Sequence, residues 1–414
     1  MSATDSPTQN ALDMDEARSK VLQAVTPCIE KETVNLSHAT GRTCATDLLA
    51  RHNIPHFRNS AMDGYAVRHD AIEIGIAMPV VGVSLAGHPF SASIENNQAV
   101  RITTGAQIPP GADTVVIQEN TSTDGNRVTI NKQPQRGQHN RHPGDDIKKD
   151  QLLVRAGQNI CAATVGLLAG QGYESIDVTR QPRIGLFSTG DELCDPGTDL
   201  ANGQIYDSNR ITLGTMLRRV GADVTDLGIV RDNRSSVEQA LNSQNQFDFV
   251  ISSGGVSVGE ADFIKSALED NAELLFWKIA MKPGIPLVSA RLKSGAMYFG
   301  LPGNPVSSMV TCAYFVIPAI QKFAALPHDP PPRIPATTLD TLAKEAGRFE
   351  FQRGIASKAD HQGYVVRSTG LQDSHVLSSM SAANCFICLP RESTGVAKGK
   401  TVEIILFSST PGLN

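Results

Sequence analysis

Strand-like and helix-like patterns alternate between residues 183 and about 325, and this alternation restricts the fold more than any other feature. The series consists of an apolar run at 183–187, a helical pattern near 211–220, a strand toward Val230, a helical pattern near 235–243 and an apolar run at 247–251. Strands that alternate with helices in this way are typical of a parallel sheet with helices on its faces. We therefore predict an open α/β domain in this part of the chain.

Three polar turns follow strands of this series, at 188–193, 252–259 and 300–308. Because the carboxyl ends of parallel strands meet at one edge of a sheet, such turns form the crevice where open α/β sheets bind ligands. The second and third turns are rich in small residues and lead into helices, so their backbone N–H groups and the helix dipole attract phosphate. An ordinary tight turn is the alternative for each one taken alone. The residues predicted to contact a phosphorylated ligand here are Ser252, Ser253, Gly254, Gly255, Ser257, Pro302, Asn304 and Pro305.

Length and charge limit the class of protein. A chain of 414 residues is long enough for two to four domains. The net charge of −5 provides no global field for nucleic acid or an anionic membrane, so neither is a predicted partner. Residues 300–321 carry no charge and are numerous enough to span a membrane. Their prolines favour a buried helix that begins near Val306 and ends at Pro318.

The N-terminus and the cysteines indicate a cytoplasmic protein. Residues 1–7 lack the basic start and the apolar core of a secretory signal. Seven cysteines without regular spacing argue against a disulfide framework and for a reducing compartment. Cys385 and Cys388 have CxxC spacing, but the apolar run around them predicts a half-buried strand.

The rest of the chain predicts an N-terminal helix, a helix-containing segment between 150 and 180, and two β-rich regions. Apolar residues at helical spacing between 12 and 25 predict an amphipathic helix that Pro27 stops. Short β-rich runs between about 79 and 135, with a hairpin turn at 124–126, indicate a small all-β module. The proline-rich segment 329–333 is a stiff linker, and the short runs beyond it suggest a β-barrel or a sandwich.

Several carboxylates follow strand ends in the α/β region. They are Asp191, Glu192, Asp207, Asp232 and Asp262. Each one alone is well explained as a helix cap or a solvated turn residue. Oxygen ligands beside a phosphate-binding loop suit Mg²⁺, which takes one or two carboxylates and otherwise keeps water and substrate phosphate. We therefore predict a magnesium site at the crevice.

Two lysines, Lys278 and Lys282, stand four residues apart among apolar neighbours. In a single strand this spacing places both side chains on the same face. The two charges repel each other unless an anion lies between them, so an oxyanion site is predicted, with solvated surface as the alternative. The histidines have no metal-ligand spacing, and no zinc site is predicted.

Seven motifs together resemble one family. They are NSAMDGYAVR at 59–68, ITTGA at 102–106, GADTVV at 111–116, FSTGDEL at 187–193, ISSGGVSVGEAD at 251–262, WKIAMKPG at 277–284 and GLPGNP at 300–305. In this order they are similar to the MoeA family of molybdopterin molybdenumtransferases, which includes the C-terminal domain of gephyrin. The resemblance runs from about residue 12 to the C-terminus.

The resemblance implies a multidomain α/β plus β fold. Its parts are a Rossmann-like, doubly wound α/β domain (the molybdopterin-binding fold) at 9–29 and 181–328, a small α+β linking domain at 30–49 and 150–180, an inserted all-β domain at 50–149, and a C-terminal β-barrel domain at 329–414. It also implies an elongated homodimer whose active-site cleft is built from both subunits.

The resemblance further implies that adenylylated molybdopterin and molybdate bind, that the phosphoanhydride is hydrolysed with Mg²⁺, and that AMP leaves as molybdenum is inserted. Carried over to this chain, the catalytic positions are Asp63, Thr104, Glu192, Asp232, Asp262, Lys278 and Lys282, with Glu192, Asp232 and Asp262 as the metal ligands. Arg141, Asp146, Arg353 and Ser374 are the further substrate-binding positions. In the 141–146 segment, His142 and Pro143 depart from the more basic residues common in relatives, which weakens the expected anion binding there.

Two other functions fit parts of the pattern. A molybdopterin adenylyltransferase shares the α/β domain, but the β module and the C-terminal β region argue against it. A gephyrin-like scaffold would bind a partner peptide on the dimer, and the intact carboxylates and lysines argue against a scaffold alone. The adenylyltransferase and molybdoenzyme maturation proteins remain expected partners of the transferase itself.

Overall fold

The computed structural model describes residues 11–242, 246–255, 262–359 and 363–413, without the side chains of Asn242, Asp262, Phe263 and Asp270. Two predicted site positions are affected: Ser257 lies outside the described residues, and so does the side chain of Asp262. The chain forms two compact units. Unit 1 comprises Met1–Thr33, Gly41–Ala45 and Asp177–Asn414, and unit 2 comprises Val34–Thr40 and Thr46–Ile176.

Eight α-helices are assigned within the described residues. They are α1 (Met14–Ala24), α2 (Ala162–Gly170), α3 (Ser208–Arg219), α4 (Arg234–Asn242), α5 (Asp262–Asn271), α6 (Pro305–Thr311), α7 (Ile317–Phe323) and α8 (Leu377–Ala382). The helices predicted near 12–25, 211–220 and 235–243 are thereby confirmed as α1, α3 and α4. Asp13 caps α1 by accepting hydrogen bonds from the backbone N–H groups of Asp15 and Glu16.

The strands of the N-terminal half are β1 (Lys31–Asn35), β2 (Leu48–Leu49), β3 (Asn59–Ser60), β4 (Gly64–Val67), β5 (Ala77–Ser84), β6 (Ala99–Ile102), β7 (Thr114–Ile117), β8 (Thr121–Asp124), β9 (Arg127–Ile130), β10 (Asn140–Arg141), β11 (Leu152–Val154) and β12 (Ser175–Thr179). Those of the C-terminal half are β13 (Arg183–Thr189), β14 (Leu193–Cys194), β15 (Ile205–Tyr206), β16 (Asp223–Val230), β17 (Phe249–Ser253), β18 (Ala272–Lys278), β19 (Met281–Lys282), β20 (Pro286–Leu292), β21 (Met297–Leu301), β22 (Ile334–Thr338), β23 (Leu342–Ala343), β24 (Phe349–Ala359), β25 (Gly363–Ser368), β26 (Cys385–Leu389), β27 (Gly395–Val396) and β28 (Thr401–Leu406).

The α/β sheet of unit 1 has the strand order β16-β13-β17-β21-β20-β18. The first four strands are parallel, as the strand and helix alternation predicted. The last two strands are antiparallel additions, since β20 pairs with β21 and with β18 in that sense. The sheet is therefore mixed, because β20 and β21 are consecutive strands joined by a tight turn rather than by a helix. The polar turns lie at the carboxyl ends of the parallel strands.

The long apolar helix of unit 1 differs from its prediction at Pro318. Helix α6 passes through a π-helical segment, Cys312–Val316, directly into α7, so the proline does not end the helix. The wide π turn hydrogen-bonds the N–H of Ile317 to the carbonyl of Cys312, and Pro318 enters near the start of the following turn, where it needs no N–H partner. The whole span, Pro305–Phe323, is apolar and long enough to cross a membrane, but 72% of it is buried inside the protein, as a core helix would be.

The C-terminal part of unit 1 is a closed barrel. Its strands follow the order β24-β25-β22-β28-β26, and β26 pairs with β24 to close the ring. This decides the predicted alternatives in favour of the barrel. Cys385 and Cys388 lie in β26, which is buried along its whole length rather than half-buried. The short strand β19 from the α/β region joins the outside of the ring by pairing with β24.

One hydrophobic core is shared by the α/β sheet and the barrel. Sheet residues such as Phe276 and Phe299 belong to the same buried cluster as the barrel residues Phe351 and Phe386. Tyr314 of the π-helical segment connects them, since its ring lies 5.6 Å from that of Phe351. The two parts of unit 1 are thus held together by a continuous apolar interior.

Unit 2 is built around a six-stranded sheet with the order β7-β4-β6-β5-β9-β8. The predicted hairpin is confirmed, because β8 pairs with β9 and the register sets Asp124 opposite Arg127. Gly64 marks a close approach of two strands: a Cβ at this position would lie 1.9 Å from the carbonyl oxygen of Val116. The small strands β3 and β10 pair beside the main sheet.

Candidate active site

The three predicted turns of unit 1 meet at one cavity of about 360 Å³. This carboxylate cavity lies at the carboxyl ends of the parallel strands β13, β16, β17 and β21. Its lining consists of Thr189, Gly190, Glu192, Leu193, Ile205, Asn209, Asp232, Ser253, Gly254, Gly255, Pro286, Pro302, Gly303 and Asn304. The predicted crevice is thereby found where the topology of an open sheet places it.

Gly254 lets the turn after β17 approach its neighbours closely. Its φ is +92°, in the left-handed region, and a Cβ would lie 2.3 Å from the carbonyl oxygen of Thr189. Its N–H donates to the carbonyl of Leu301 at 3.1 Å, which ties the turns after β17 and β21 together. A residue with a side chain here would push the turn after β17 away from Thr189 at the end of β13, so the glycine permits this close approach at the cavity.

Two carboxylates line this cavity, and they come from separate turns. Glu192 is exposed in the turn after β13, whereas Asp232 is half-buried after β16 and accepts a hydrogen bond of 3.3 Å from the hydroxyl of Thr189. No lysine, arginine or histidine is among the described lining residues. A phosphate group entering this cavity would therefore face negative charge alone, unless a divalent cation joined it to the carboxylates. Within the described residues, no cluster of three or more metal-ligating side chains occurs.

The serines of the turn after β17 have different surroundings. The hydroxyl of Ser253 accepts a hydrogen bond of 2.8 Å from the side-chain amide of Asn209, which also donates to the carbonyl of Gly303 at 2.7 Å. Ser252 is buried, and its hydroxyl lies 2.6 Å from that of Tyr298. Ser253 thus lines the cavity while the side chain of Ser252 points into the core. Pro305 begins α6 outside the cavity lining.

Asp207 is a structural carboxylate rather than a member of the cavity. It is buried, caps α3 by accepting from the N–H of Arg210 at 3.1 Å, and forms an ion pair with that guanidinium at 3.0 Å. Arg210 also pairs with Asp195 and Asp226. Burial raises the pKa of the Asp226 carboxyl, but hydrogen bonds and the charge of Arg210 outweigh burial and lower it overall. The helix-cap alternative therefore holds for Asp207.

A second cavity of about 280 Å³ continues from the first one. This lysine cavity is lined by Met281, Lys282, Pro283, Gly284, Ile285, Pro286, Asn304, Ser307, Arg348, Gln372, Asp373 and Ser374. Pro286 and Asn304 line both cavities, so the two form one cleft in unit 1. The amide of Asn304 donates to the hydroxyl of Ser374 at 2.9 Å, which joins α6 to the loop before α8.

The structure separates the two predicted lysines. Lys278 ends β18 in the α/β sheet, whereas Lys282 lies in β19, which pairs with the barrel strand β24. The prediction that both belong to one strand face is wrong, because the chain turns between them at Ile279, whose N–H donates to the carbonyl of Ile285. Lys282 lines the lysine cavity, and Lys278 is not among the described lining residues of either cavity.

Arg353 lies behind the lysine cavity. It is 1% exposed, and its guanidinium donates to the hydroxyl of Ser379 at 2.9 Å and to the carbonyls of Leu371 and Asp373 at 3.3 and 3.0 Å. Burial lowers the pKa of this guanidinium to about 10, although nearby carboxylates oppose the shift. Its observed hydrogen bonds fix the loop that supplies Gln372, Asp373 and Ser374 to the cavity.

In unit 2 the predicted pair Asp63 and Thr104 is brought together. The Asp63 carboxylate accepts from the backbone N–H and from the hydroxyl of Thr104, and both side chains are exposed. The backbone bond, and then the hydroxyl bond, lower the pKa of Asp63. Gly105 follows in the left-handed region with a φ of +80° and donates to the carbonyl of Ser60 at 2.8 Å. A rigid, ionised carboxylate is therefore displayed on the surface of unit 2.

Arg141 and Asp146 lie in the same unit. Arg141 is exposed in β10 opposite Asn59, and the N–H of Ala61 donates to the carbonyl of His139, so this strand lies beside the segment that leads to Asp63. Asp146 is exposed further along the loop, where its N–H donates to the carbonyl of Ile54 at 3.0 Å. Three separate motifs thus converge on one region of unit 2.

Several residues of the cleft were not predicted from the sequence, and Asn209 and Arg348 are two of them. Asn209 organises the carboxylate cavity, and its signal was its place at the start of α3, directly after the cavity strand β15. Arg348 lines the lysine cavity, and its signal was its position between Gly347 and the first residue of β24. Both were overlooked because each lies outside the glycine-rich motifs.

An open α/β sheet whose strand-end turns enclose a ligand-sized cleft, fused to a β-barrel and accompanied by a separate β unit, defines a multidomain α/β plus β protein with a binding cleft. Family models match three successive regions: the MoeA N-terminal region (domains I and II) at 12–172, a probable molybdopterin binding domain at 185–322, and the MoeA C-terminal region (domain IV) at 335–407. The chain belongs to the MoeA family.

Individual relatives agree with this assignment along the whole chain. A molybdopterin molybdenumtransferase of Haemophilus influenzae is 41% identical over 404 residues, covering 97% of this chain and 100% of the relative. Another molybdopterin molybdenumtransferase, of Nostoc sp., is 34% identical over 91% of this chain and 88% of its own length. A crystal structure of the molybdopterin biosynthesis MoeA protein of Pyrococcus horikoshii is similar with a TM-score of 0.79 and 26% identity, covering 96% of this chain and all of that one.

Proposed function

We propose that this chain is a transferase that inserts molybdenum from molybdate into molybdopterin, with adenylylated molybdopterin as the second substrate and AMP as a product. The observation that carries the proposal is the continuous cleft of unit 1, which has two carboxylates at one end and Lys282 and Arg348 at the other. A phosphoanhydride requires a metal-binding end and an oxyanion requires a cationic end, and the cleft offers both.

Glu192, Asp232 and Asp262 are the proposed ligands of a catalytic Mg²⁺. Glu192 and Asp232 fit this metal because they are oxygen ligands in a cavity whose described lining has no cation of its own. Asp262 begins α5 after the turn that follows β17. When bound, Mg²⁺ would neutralise charge on the phosphate oxygens. The backbone of Gly254 and Gly255 and the side chain of Ser253 then orient the phosphate against the carboxylate end.

The proposed reaction breaks one bond of the phosphoanhydride. Water attacks the adenylyl phosphorus, the bridging P–O bond breaks, and AMP leaves while the other phosphate stays with molybdopterin. The two thiols of molybdopterin then bind the molybdenum of molybdate held at the lysine cavity, and one oxo group of molybdate leaves as water with the two thiol protons. Lys282 and Ser374 are the proposed contacts of the oxyanion, with Lys278 and Arg353 as further predicted positions, and Arg353 acts there through the loop that it fixes.

Unit 2 is proposed to complete the active site across a homodimer. The exposed pair Asp63 and Thr104, with Arg141 and Asp146, would approach the cleft of the second chain. We also propose that the protein works in the cytoplasm, and the lack of regular spacing among its seven cysteines supports a reducing compartment. An adenylyltransferase and molybdoenzyme maturation proteins are the proposed partners that deliver substrate and receive product.

Purified protein incubated with adenylylated molybdopterin, Mg²⁺ and molybdate tests the proposal. AMP should appear only when molybdate is present, and the pterin product should contain molybdenum. AMP release without molybdate would contradict the transferase. Adenylylation of molybdopterin by ATP would indicate an adenylyltransferase. No reaction under any condition would favour a scaffold.

A further inference from the structure

The cationic end of the cleft is built on two neighbouring parallel strands. In their register Met281 pairs with Phe349 and Lys282 pairs with Glu350, and the N–H of Phe349 donates to the carbonyl of Ala280. Paired residues of adjacent strands point to the same face. The register therefore places Lys282 and Glu350 on a common face, and Arg348, directly before β24, lines the lysine cavity together with Lys282.

The carboxylate of Glu350 is buried and held in place by its neighbours. Its side chain is 5% exposed, and its Oε1 accepts from the side-chain amide of Gln352 at 3.1 Å and lies 3.4 Å from the ammonium of Lys282. Gln352 is in turn held by the carbonyl of Ala343 at 2.7 Å. A buried carboxylate costs free energy unless it is paired and hydrogen-bonded, so this one has a defined geometry. The side chain of Lys282 is 44% exposed, and this fixed carboxylate holds its ammonium at the cavity.

Arg348 has no comparable anchor. The guanidinium is half-buried, and within the described part of the chain no hydrogen bond or salt bridge engages it. The carboxylate of Asp373 also lines the cavity and offsets part of the positive charge. A planar group with five N–H donors beside a fixed ammonium matches the oxygens of a tetrahedral oxyanion.

A third cation, Lys344, lies just after β23, outside the five strands of the barrel ring. Lys344 is buried, and its ammonium donates to the carbonyls of Glu345, Arg391 and Ser393. Burial lowers the pKa of this ammonium, the charges of Arg348 and Lys282 lower it further, and the carboxylates of Glu350 and Glu392 raise it. Glu350 thus lies within the field of several cations, of which only Lys282 and Arg348 reach the cavity.

We infer that Arg348 is an oxyanion-binding residue of this enzyme and that Glu350 is the positioning residue of Lys282. The ligand is a tetrahedral dianion, molybdate or the phosphate of the pterin substrate, held between the ammonium and the guanidinium. The inference rests on the proposed function, because it assigns further residues to the same cleft.

Calorimetric titration of the full-length protein with sodium molybdate, and separately with sodium sulfate and inorganic phosphate, tests this inference without any turnover. Arg348→Met should weaken molybdate binding about tenfold or more, whereas Arg348→Lys should retain part of it. Arg367→Met is the matched control, since Arg367 is an exposed arginine of the same barrel outside the cavity. An Arg348→Met protein that binds molybdate as the wild type does would overturn the role of Arg348.

The positioning role of Glu350 is tested through a double-mutant cycle. Glu350→Gln should weaken molybdate binding severalfold in the wild type but have no further effect in a Lys282→Met background, because its action passes through the lysine. Glu403→Gln is the control, since Glu403 also lies 3.4 Å from its cationic partner, Arg333, but outside the cavity. Equal losses in both backgrounds would show that Glu350 acts independently of Lys282 and would overturn its positioning role.

The outcomes separate the two levels of inference. If the wild-type protein binds none of the three anions, molybdate, sulfate and phosphate, the oxyanion site itself is overturned. Wild-type protein that binds molybdate through Arg348 but shows no molybdate-dependent AMP release would leave the site standing and contradict the proposed function. Preference for phosphate over molybdate would assign the site to the pterin substrate.

Discussion

Thr104 holds the carboxylate of Asp63 by two hydrogen bonds to the same oxygen, of 2.6 Å from its backbone N–H and 2.9 Å from its hydroxyl. The two residues belong to different motifs and are 41 positions apart in the sequence. The arrangement fixes an exposed carboxylate in one orientation and in its ionised form, which suits a group that meets a substrate or a second subunit.

Replacing Thr104 by valine should raise the pKa of Asp63 toward the usual aspartate value. The hydroxyl bond is lost while the stronger backbone bond remains, so the rise should be partial. Because the folded pKa is depressed, the bond stabilises the fold above the unfolded pKa, and this contribution is lost as pH falls through the folded pKa. NMR titration of the Asp63 carboxyl carbon measures the shift, and an unchanged pKa would contradict the hydrogen-bond assignment.

Asp232→Asn and Asp262→Ala should fold normally and lose molybdate-dependent AMP release. Each change removes a proposed oxygen ligand of Mg²⁺, so the apparent Mg²⁺ requirement should rise by about tenfold or more. Asp223→Asn is the control, because Asp223 is an exposed carboxylate at the opposite end of β16. Wild-type turnover at low Mg²⁺ in either variant would remove that residue from the metal site.

Lys282→Met should raise the molybdate concentration needed for half-maximal AMP release more strongly than Lys278→Met does. The reason is that Lys282 lines the cleft, as Arg348 does, whereas Lys278 ends a strand of the α/β sheet. Steady-state kinetics over a range of molybdate concentrations provides the comparison. A larger effect at Lys278 would mean that the oxyanion binds nearer β18 than the geometry of the cleft indicates.

Arg353→Met should destabilise the protein by about 2–4 kcal/mol, because the buried hydroxyl of Ser379 and the carbonyls of Leu371 and Asp373 lose their donor. Urea denaturation followed by circular dichroism measures the free energy of unfolding. The exposed Arg367→Met variant should change it little. A stability equal to that of the wild type would show that the loop before α8 does not depend on this guanidinium.

Mixed dimers test the sharing of the active site. Asp63→Ala and Asp262→Ala homodimers should each be inactive, and a dimer of one chain of each kind should regain one intact site if unit 2 of one chain serves the cleft of the other. Separately tagged chains, co-expressed and purified through both tags, provide the mixed species. Persistent inactivity in verified mixed dimers would place both residues at a single chain's site.

Local patterns predicted much of the α/β region, because strand and helix periodicity depends on short stretches of sequence. The turns at Thr189, Ser253 and Asn304 were expected at one crevice, and they line one cavity. The antiparallel strand β20 was missed, since the pairing sense of a strand depends on where the chain returns rather than on its own residues. The same limit explains the error at Lys278 and Lys282, where a turn of a few residues moves the chain from one sheet to another.

Side-chain surroundings were the least predictable part of the site. Ser252 and Ser253 are adjacent and chemically identical, yet one hydroxyl meets Tyr298 in the core and the other meets Asn209 at the cavity. Arg353 carries a charge and is nevertheless buried, because carbonyls of a distant loop satisfy its donors. Such partners come from remote parts of the chain, which periodicity and spacing do not reveal.

The apolar interior common to the sheet and the barrel has a consequence for how unit 1 comes apart. Phe299 and Phe386 belong to one cluster, so exposing the barrel's share of it also strips contacts from the sheet. We therefore expect the two parts to lose their packing together, so that thermal disruption of this unit should be one cooperative transition. A destabilising substitution in the barrel, even far from the cleft, should therefore lower the fraction of molecules in which the carboxylate cavity is folded.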